Sequence, residues 1–159
     1  MGLLQPDVGH GGRGRKSRLS GVRKAITVHS LRHAHAAASA AVAARVPILL
    51  LSAPSAAASA GPGWFSALAR SASASRPDAD IQPVLDCGDM PGYALAALRH
   101  GLKTIRYDGA AIGEIEDIAR QLDATVLRQR PPALDLGDGK VPEEDGCLLE
   151  ACRKWLENE

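Results

Sequence analysis

Five short apolar runs alternate with longer, alanine-rich segments from residue 25 onward, and this alternation constrains the fold more than any other feature. The runs are Ala25–His29 (AITVH), Pro47–Ser52 (PILLLS), Ile81–Asp86 (IQPVLD), Lys103–Tyr107 (KTIRY) and Thr125–Arg128 (TVLR). Most are rich in Val, Ile or Leu and bounded by Gly, Pro, Asp or Ser, as strands are. None alternates cleanly between apolar and polar positions, which suits strands of a parallel sheet covered on both faces. Between them, Leu31–Arg45, Gly63–Ser75, Pro91–His100 and Ala111–Leu122 read as helices. Pro91 at the start and Gly101 just past the end of the third match the preferred helix termini. Ile112, Ile115, Ala119 and Leu122 recur at helical spacing in the fourth.

The order βαβαβαβαβ implies an α/β fold with a parallel sheet and right-handed crossovers. Two architectures suit five strands, a flavodoxin-like open sheet or a partial β/α barrel. The open sheet is favoured, because a half barrel leaves edges that must be covered or paired in a homo-oligomer. A Pro/Gly-rich link (PPALDLGDGKVP) and an amphipathic helix over about Glu143–Glu157 follow. Leu148, Leu149, Cys152, Trp155 and Leu156 form its apolar face, and Glu143, Glu144 and Asp145 near its start suit the helix dipole. The expected division is a basic disordered tail (1–24), an α/β domain (25–130), and a linker with its helix (131–159).

At 159 residues the chain has length for one domain with a real core. Aromatic residues make up only 3%, so the core must be built from Ala, Leu, Val and Ile. That composition also removes base-stacking platforms, leaving the arginines of the tail as the one route to nucleic acid. The tail otherwise reads as a solvated extension, or as a start codon set too far upstream. Net charge is +1, which implies no overall steering toward a charged partner. Three cysteines without metal-ligand spacing read as reduced thiols of a cytoplasmic protein. Arg45, Pro47 and Pro54 interrupt the Ala/Leu-rich stretch 36–60, so no membrane span is expected.

Ligands of parallel α/β folds bind beyond the carboxyl ends of the strands. Those ends carry His29-Ser30, Ser52-Ala53-Pro54-Ser55, Asp86-Cys87-Gly88-Asp89 and Tyr107-Asp108-Gly109. All should open on one rim. Asp86 ends a buried strand, where burial would raise its pKa and suit general acid/base work. His29 is the other candidate for proton transfer. It would also activate Cys87 as a nucleophile if the first and third strands are neighbours. Ser52, Ser55, Gly88, Asp89 and Asp108 complete the expected ligand-binding set. Asp89 also has the position of a helix N-cap, and Asp108-Gly109 of a turn.

His29, His33 and His35 lack the converging ligand set of a zinc site, so no metal is expected. Neither dinucleotide nor P-loop fingerprints occur, and no cofactor is implied, although Gly61-Pro62-Gly63 and Gly88 precede helices where a phosphate could sit. The expected function is binding of a small anionic molecule at the rim. The alternative is a non-catalytic regulatory or scaffolding module that docks a protein partner.

The stretch PGYALAALRHGLKTIRYDG, residues 91–109, resembles the late βαβ segment of the keto-deoxy-phosphogluconate aldolase family of β/α barrels. Members of that family form a Schiff base through a strand lysine. Arg106 stands at the matching position, and Lys103 lies at the other end of the strand. The resemblance therefore implies a chain that has lost that aldolase chemistry, with Arg106 left to hold an anion, since a guanidinium stays protonated.

Overall fold

A computed structural model describes residues 22–158. Residues 1–21, most of the basic tail, lie outside the described residues. The elements run β1 (Lys24–Val28), α1 (Leu31–Ala44), β2 (Ile48–Ser52), α2 (Ala56–Ser59), α3 (Pro62–Ser75), β3 (Ile81–Asp86), α4 (Pro91–Arg99), β4 (Thr104–Arg106), α5 (Ile112–Gln121), β5 (Thr125–Leu127), β6 (Ala133–Asp135) and α6 (Asp145–Glu157). The α/β open sheet expected from the alternation is what forms. All six strands are parallel, in the order β5-β4-β3-β2-β1-β6.

That order decides where the helices go. From β1 to β5 each step moves in one direction, and right-handed crossovers then place every connecting helix on the same face. A doubly wound sheet of flavodoxin order reverses direction and carries helices on both faces; this one does not. The helix-side core joins Ile26, Val28, Ile48, Leu50, Leu85 and Ile105 of the strands to Ala34, Ala37, Phe65, Ala97, Ile115 and Leu148 of the helices. Alanine on the inner surfaces of α1 and α4 lets the helix backbones come close to the sheet. Ser30 caps α1, its hydroxyl accepting from the His33 N–H at 3.2 Å. Arg45 ends that helix in the left-handed region at φ 56°.

The opposite face carries a small apolar cluster of Ala25, Leu51 and Val84. Beside it, the Gln82 amide donates to the Thr104 hydroxyl at 2.5 Å. Among the described residues, no helix covers this face. The chain itself crosses it instead, since β5 and β6 lie at opposite edges and only residues 128–132 join them. Five strand spacings of a flat sheet span about 24 Å, whereas the connection reaches about 20–22 Å fully extended. The sheet must therefore curl toward the crossing segment.

Most elements differ from the sequence reading by a residue or so at their ends, and three differences change the architecture. Lys24 is the first residue of β1, in register with Ile48, and not part of the tail. The fifth strand ends at Leu127, so Arg128 belongs to the crossing. The link contains a strand, β6, which pairs with β1 from Ala25↔Ala133 to Thr27↔Asp135. Three residues are too few to show a period, and the pairing is supplied by β1. The C-terminal helix is likewise part of the domain. Its Leu148, Cys152 and Leu156 are buried in the core, and the Trp155 indole N–H donates to the Ala25 carbonyl at 3.0 Å. Lys24 Nζ returns the contact by donating to the Trp155 carbonyl at 3.1 Å. Among the described residues, no helix is long and apolar enough to cross a membrane.

Candidate functional site

The strand ends gather their polar groups around Asp86. Its carboxylate is fully buried and meets four donors. Oδ1 accepts from the backbone N–H of Gly88 at 2.8 Å and of Ser55 at 3.2 Å, and from Arg106 Nη1 at 3.4 Å. Oδ2 accepts from Arg130 Nη1 at 2.6 Å. Three of these donors share Oδ1, and Oδ2 takes the shortest contact, from Arg130. Asp86 is thus an anchor that holds two guanidinium groups and two loops.

Local geometry explains the two loop donors. Gly88 has φ +58°, and a Cβ there would lie 2.6 Å from Ser55 Oγ, so glycine is required by backbone and space together. Ser55 adopts φ 53° to aim its N–H at Asp86. Ser52 is buried and structural, its hydroxyl accepting from the Asp86 N–H at 2.9 Å and donating to the Ala53 carbonyl at 3.1 Å. Asp108 is exposed and receives Arg106 Nη2 at 2.6 Å. Asp89 is also exposed, but the N-cap of α4 is Met90, without a side-chain cap, so the capping role suggested for Asp89 is not used.

Cys87 does not join the site. It is buried on the helix side, and its thiol points back to the Leu85 carbonyl at 3.7 Å. Burial, aided by the neighbouring Asp86 charge, pushes its pKa up to about 12. His29 cannot activate it, because β2 lies between β1 and β3. Burial lifts Cys152 to about 12 as well. At pH 8 about one in ten thousand of either thiol is ionised at that pKa. Iodoacetamide should therefore modify only half-buried Cys147 in the native protein and all three cysteines after denaturation, as read by mass spectrometry. Native labelling of Cys87 would show that the strand-end loops open.

His29 sits at the β1–β6 side of the rim. Its Nε2 lies 2.7 Å from Asp135 Oδ1. Its backbone N–H donates to His33 Nδ1 at 3.2 Å, and His33 Nε2 contacts the Glu143 carboxylate at 2.9 Å. His35 is apart from these, 3.2 Å from Ser71 Oγ. Among the described residues, no three His, Cys, Asp or Glu side chains converge as a metal site.

Two residues of the site were not singled out from sequence, Arg130 just past the fifth strand and Asp135 in the link. Arg130 reaches back over the sheet, with Nη2 donating to the Ser52 carbonyl at 3.1 Å and to Thr27 Oγ1 at 3.3 Å. No local signal marks it, because its partners come from β1, β2 and β3. Asp135 could have been suspected from the Asp-Leu-Gly turn pattern, since it accepts the Gly137 N–H at 2.9 Å. No protein-family model matches the chain, and no curated protein matches it with significant similarity.

Proposed function

We propose that this protein binds a small anion, a phosphate or carboxylate, at the rim formed by the ends of β1, β3, β4 and β6. One observation carries the reading: two guanidinium groups, Arg106 from β4 and Arg130 from the crossing segment, converge on Asp86 with N–H groups to spare. Three of the five Arg130 N–H groups have protein acceptors, and two of the five on Arg106. Arg106 Nε is buried without a partner. A bidentate anion is the group such forks match best. Arg106 holds the position where a kinship with the aldolase barrels would put a Schiff-base lysine, which fits an anion-holding role and not amine chemistry. Three free cysteines, two of them buried, support a reducing compartment, the cytoplasm, as part of this reading.

The test is thermal unfolding with inorganic phosphate, malonate and citrate, on the parent and on Arg130→Gln. An anion at about 100 times its dissociation constant should add about 2.7 kcal/mol, a shift of several degrees. Arg130→Gln should lose that shift whatever its own melting temperature. Absence of any anion-induced shift in the parent would remove the reading. It would favour the scaffolding alternative, whose support is a groove of about 410 Å³ between α1 and α6 lined by Leu31, Ala36 and Leu149.

A further inference from the structure

We infer that His29 is the proton-transfer group of this rim and acts through Nδ1, with Asp135 as its positioning residue. The inference rests on the anion-binding reading above and adds a catalytic group and a size limit for the ligand. The ring is held on two sides. Asp135 can only accept, so the hydrogen between it and His29 belongs to Nε2. Gly137 lies flat against the ring, and a Cβ on it would come within 2.4 Å of Cδ2 and 2.6 Å of Cγ and Nε2. The same Asp135 oxygen accepts the Gly137 N–H, which locks carboxylate, glycine and imidazole into one unit. Nδ1 is then the nitrogen with the lone pair, and it makes no hydrogen bond among the described residues. The side chain is 33% exposed, open enough for a ligand and sheltered enough to stay oriented.

The spacing along β1 gives the scale of the separation between this base and the anion site. Thr27 touches Arg130 and is in register with Asp135. His29 lies two residues further along, about 7 Å away. A ligand with its anionic group on Arg130 and an acidic hydrogen at His29 is therefore a small organic acid or phosphate ester, about four or five bonds long. In the step, an O–H or C–H bond of the ligand breaks and its hydrogen passes as a proton to Nδ1. The electron pair stays on the ligand atom, and the imidazolium is balanced by Asp135. Reversal returns the proton. The titratable groups against His29 are Asp135 from β6 and His33 from α1, its ring centroid 6.0 Å away, with its partner Glu143.

Nitrogen-detected NMR of the histidine rings, with inorganic phosphate as probe, tests this. The neutral His29 ring should carry its hydrogen on Nε2. Phosphate should perturb the Arg130 Nε–H and shift the ring-nitrogen resonances of His29. Asp135→Asn, which keeps an acceptor for Gly137, should still bind phosphate at Arg130 but lose the Nε2–H preference. Gly137→Ala should displace the ring and abolish the phosphate response of His29. A parent ring protonated on Nδ1, or phosphate bound at Arg130 with His29 unmoved, overturns the inference and leaves the anion site standing. No phosphate effect at Arg130 overturns both.

Discussion

Asp86→Ala is expected to lower the free energy of unfolding by about 3–5 kcal/mol, the usual cost of removing one partner from a buried ion pair. The carboxylate has no solvent exposure, and both arginines lose a contact when it goes, Arg130 at 2.6 Å and Arg106 at 3.4 Å. Arg106 would retain Asp108, which is partly exposed and screened. Two backbone N–H groups, of Ser55 and Gly88, are stranded in the same step. Total stabilities of such domains are about 5–15 kcal/mol, so this single change threatens folding. Urea unfolding at neutral pH measures it. The double variant Asp86→Ala, Arg130→Met should recover part of the loss, because the cost lies in the unpaired charge and not in missing attraction. A loss below about 1 kcal/mol for the single variant would mean that the strand ends are wet and Asp86 is no anchor.

Leu148→Ala is expected to cost about 2–5 kcal/mol, the range for deleting a fully buried leucine side chain. Leu148 sits in the first turns of α6 and packs into the same core as α1 and the strands. The prediction separates two views of the C-terminal segment. If α6 were an appendage after a linker, truncating Leu148 would leave the main unfolding transition unmoved. As an integral layer of the domain, it should lower the denaturant midpoint of the whole protein in one cooperative transition. Trp155 gives a convenient probe, since its indole hydrogen bond to Ala25 should break in that same transition.

The five longer helices and the first five strands were legible because each lies in a run with its own local preference, whereas the single turn of α2 was not. Alanine runs, Pro91 at a helix start and the boundary glycines act within a few positions of themselves. The candidate rim was legible for the same reason: in a parallel sheet, the residue after a strand is at the ligand-binding edge whatever the strand order. His29, Asp86 and Asp108 were found this way, and they do share that edge. Cys87 was found by the same rule and is misplaced by it, because the rule gives an edge and not a direction. One residue after Asp86, the side chain turns into the helix-side core.

What the chain alone could not disclose are contacts between segments distant in sequence. β6 has three residues and no period, and becomes a strand because Ala25–Thr27 offers it an unpaired edge. Arg130 is ordinary in its own neighbourhood and central only because the sheet curls enough for residues 128–132 to cross its open face. Its partners Thr27, Ser52 and Asp86 lie 103, 78 and 44 positions away. Asp135 meets His29 over 106 positions. Local sequence thus determined the alternation of elements, the parallel sheet and the edge where chemistry would gather, since those follow from propensity and crossover handedness. Tertiary structure alone decided that the sheet winds one way, that Asp86 is held by two arginines, and that His29 faces Asp135. Those outcomes depend on strand order and on a crossing segment whose reach must match the curl of the open sheet, which no short window of residues contains.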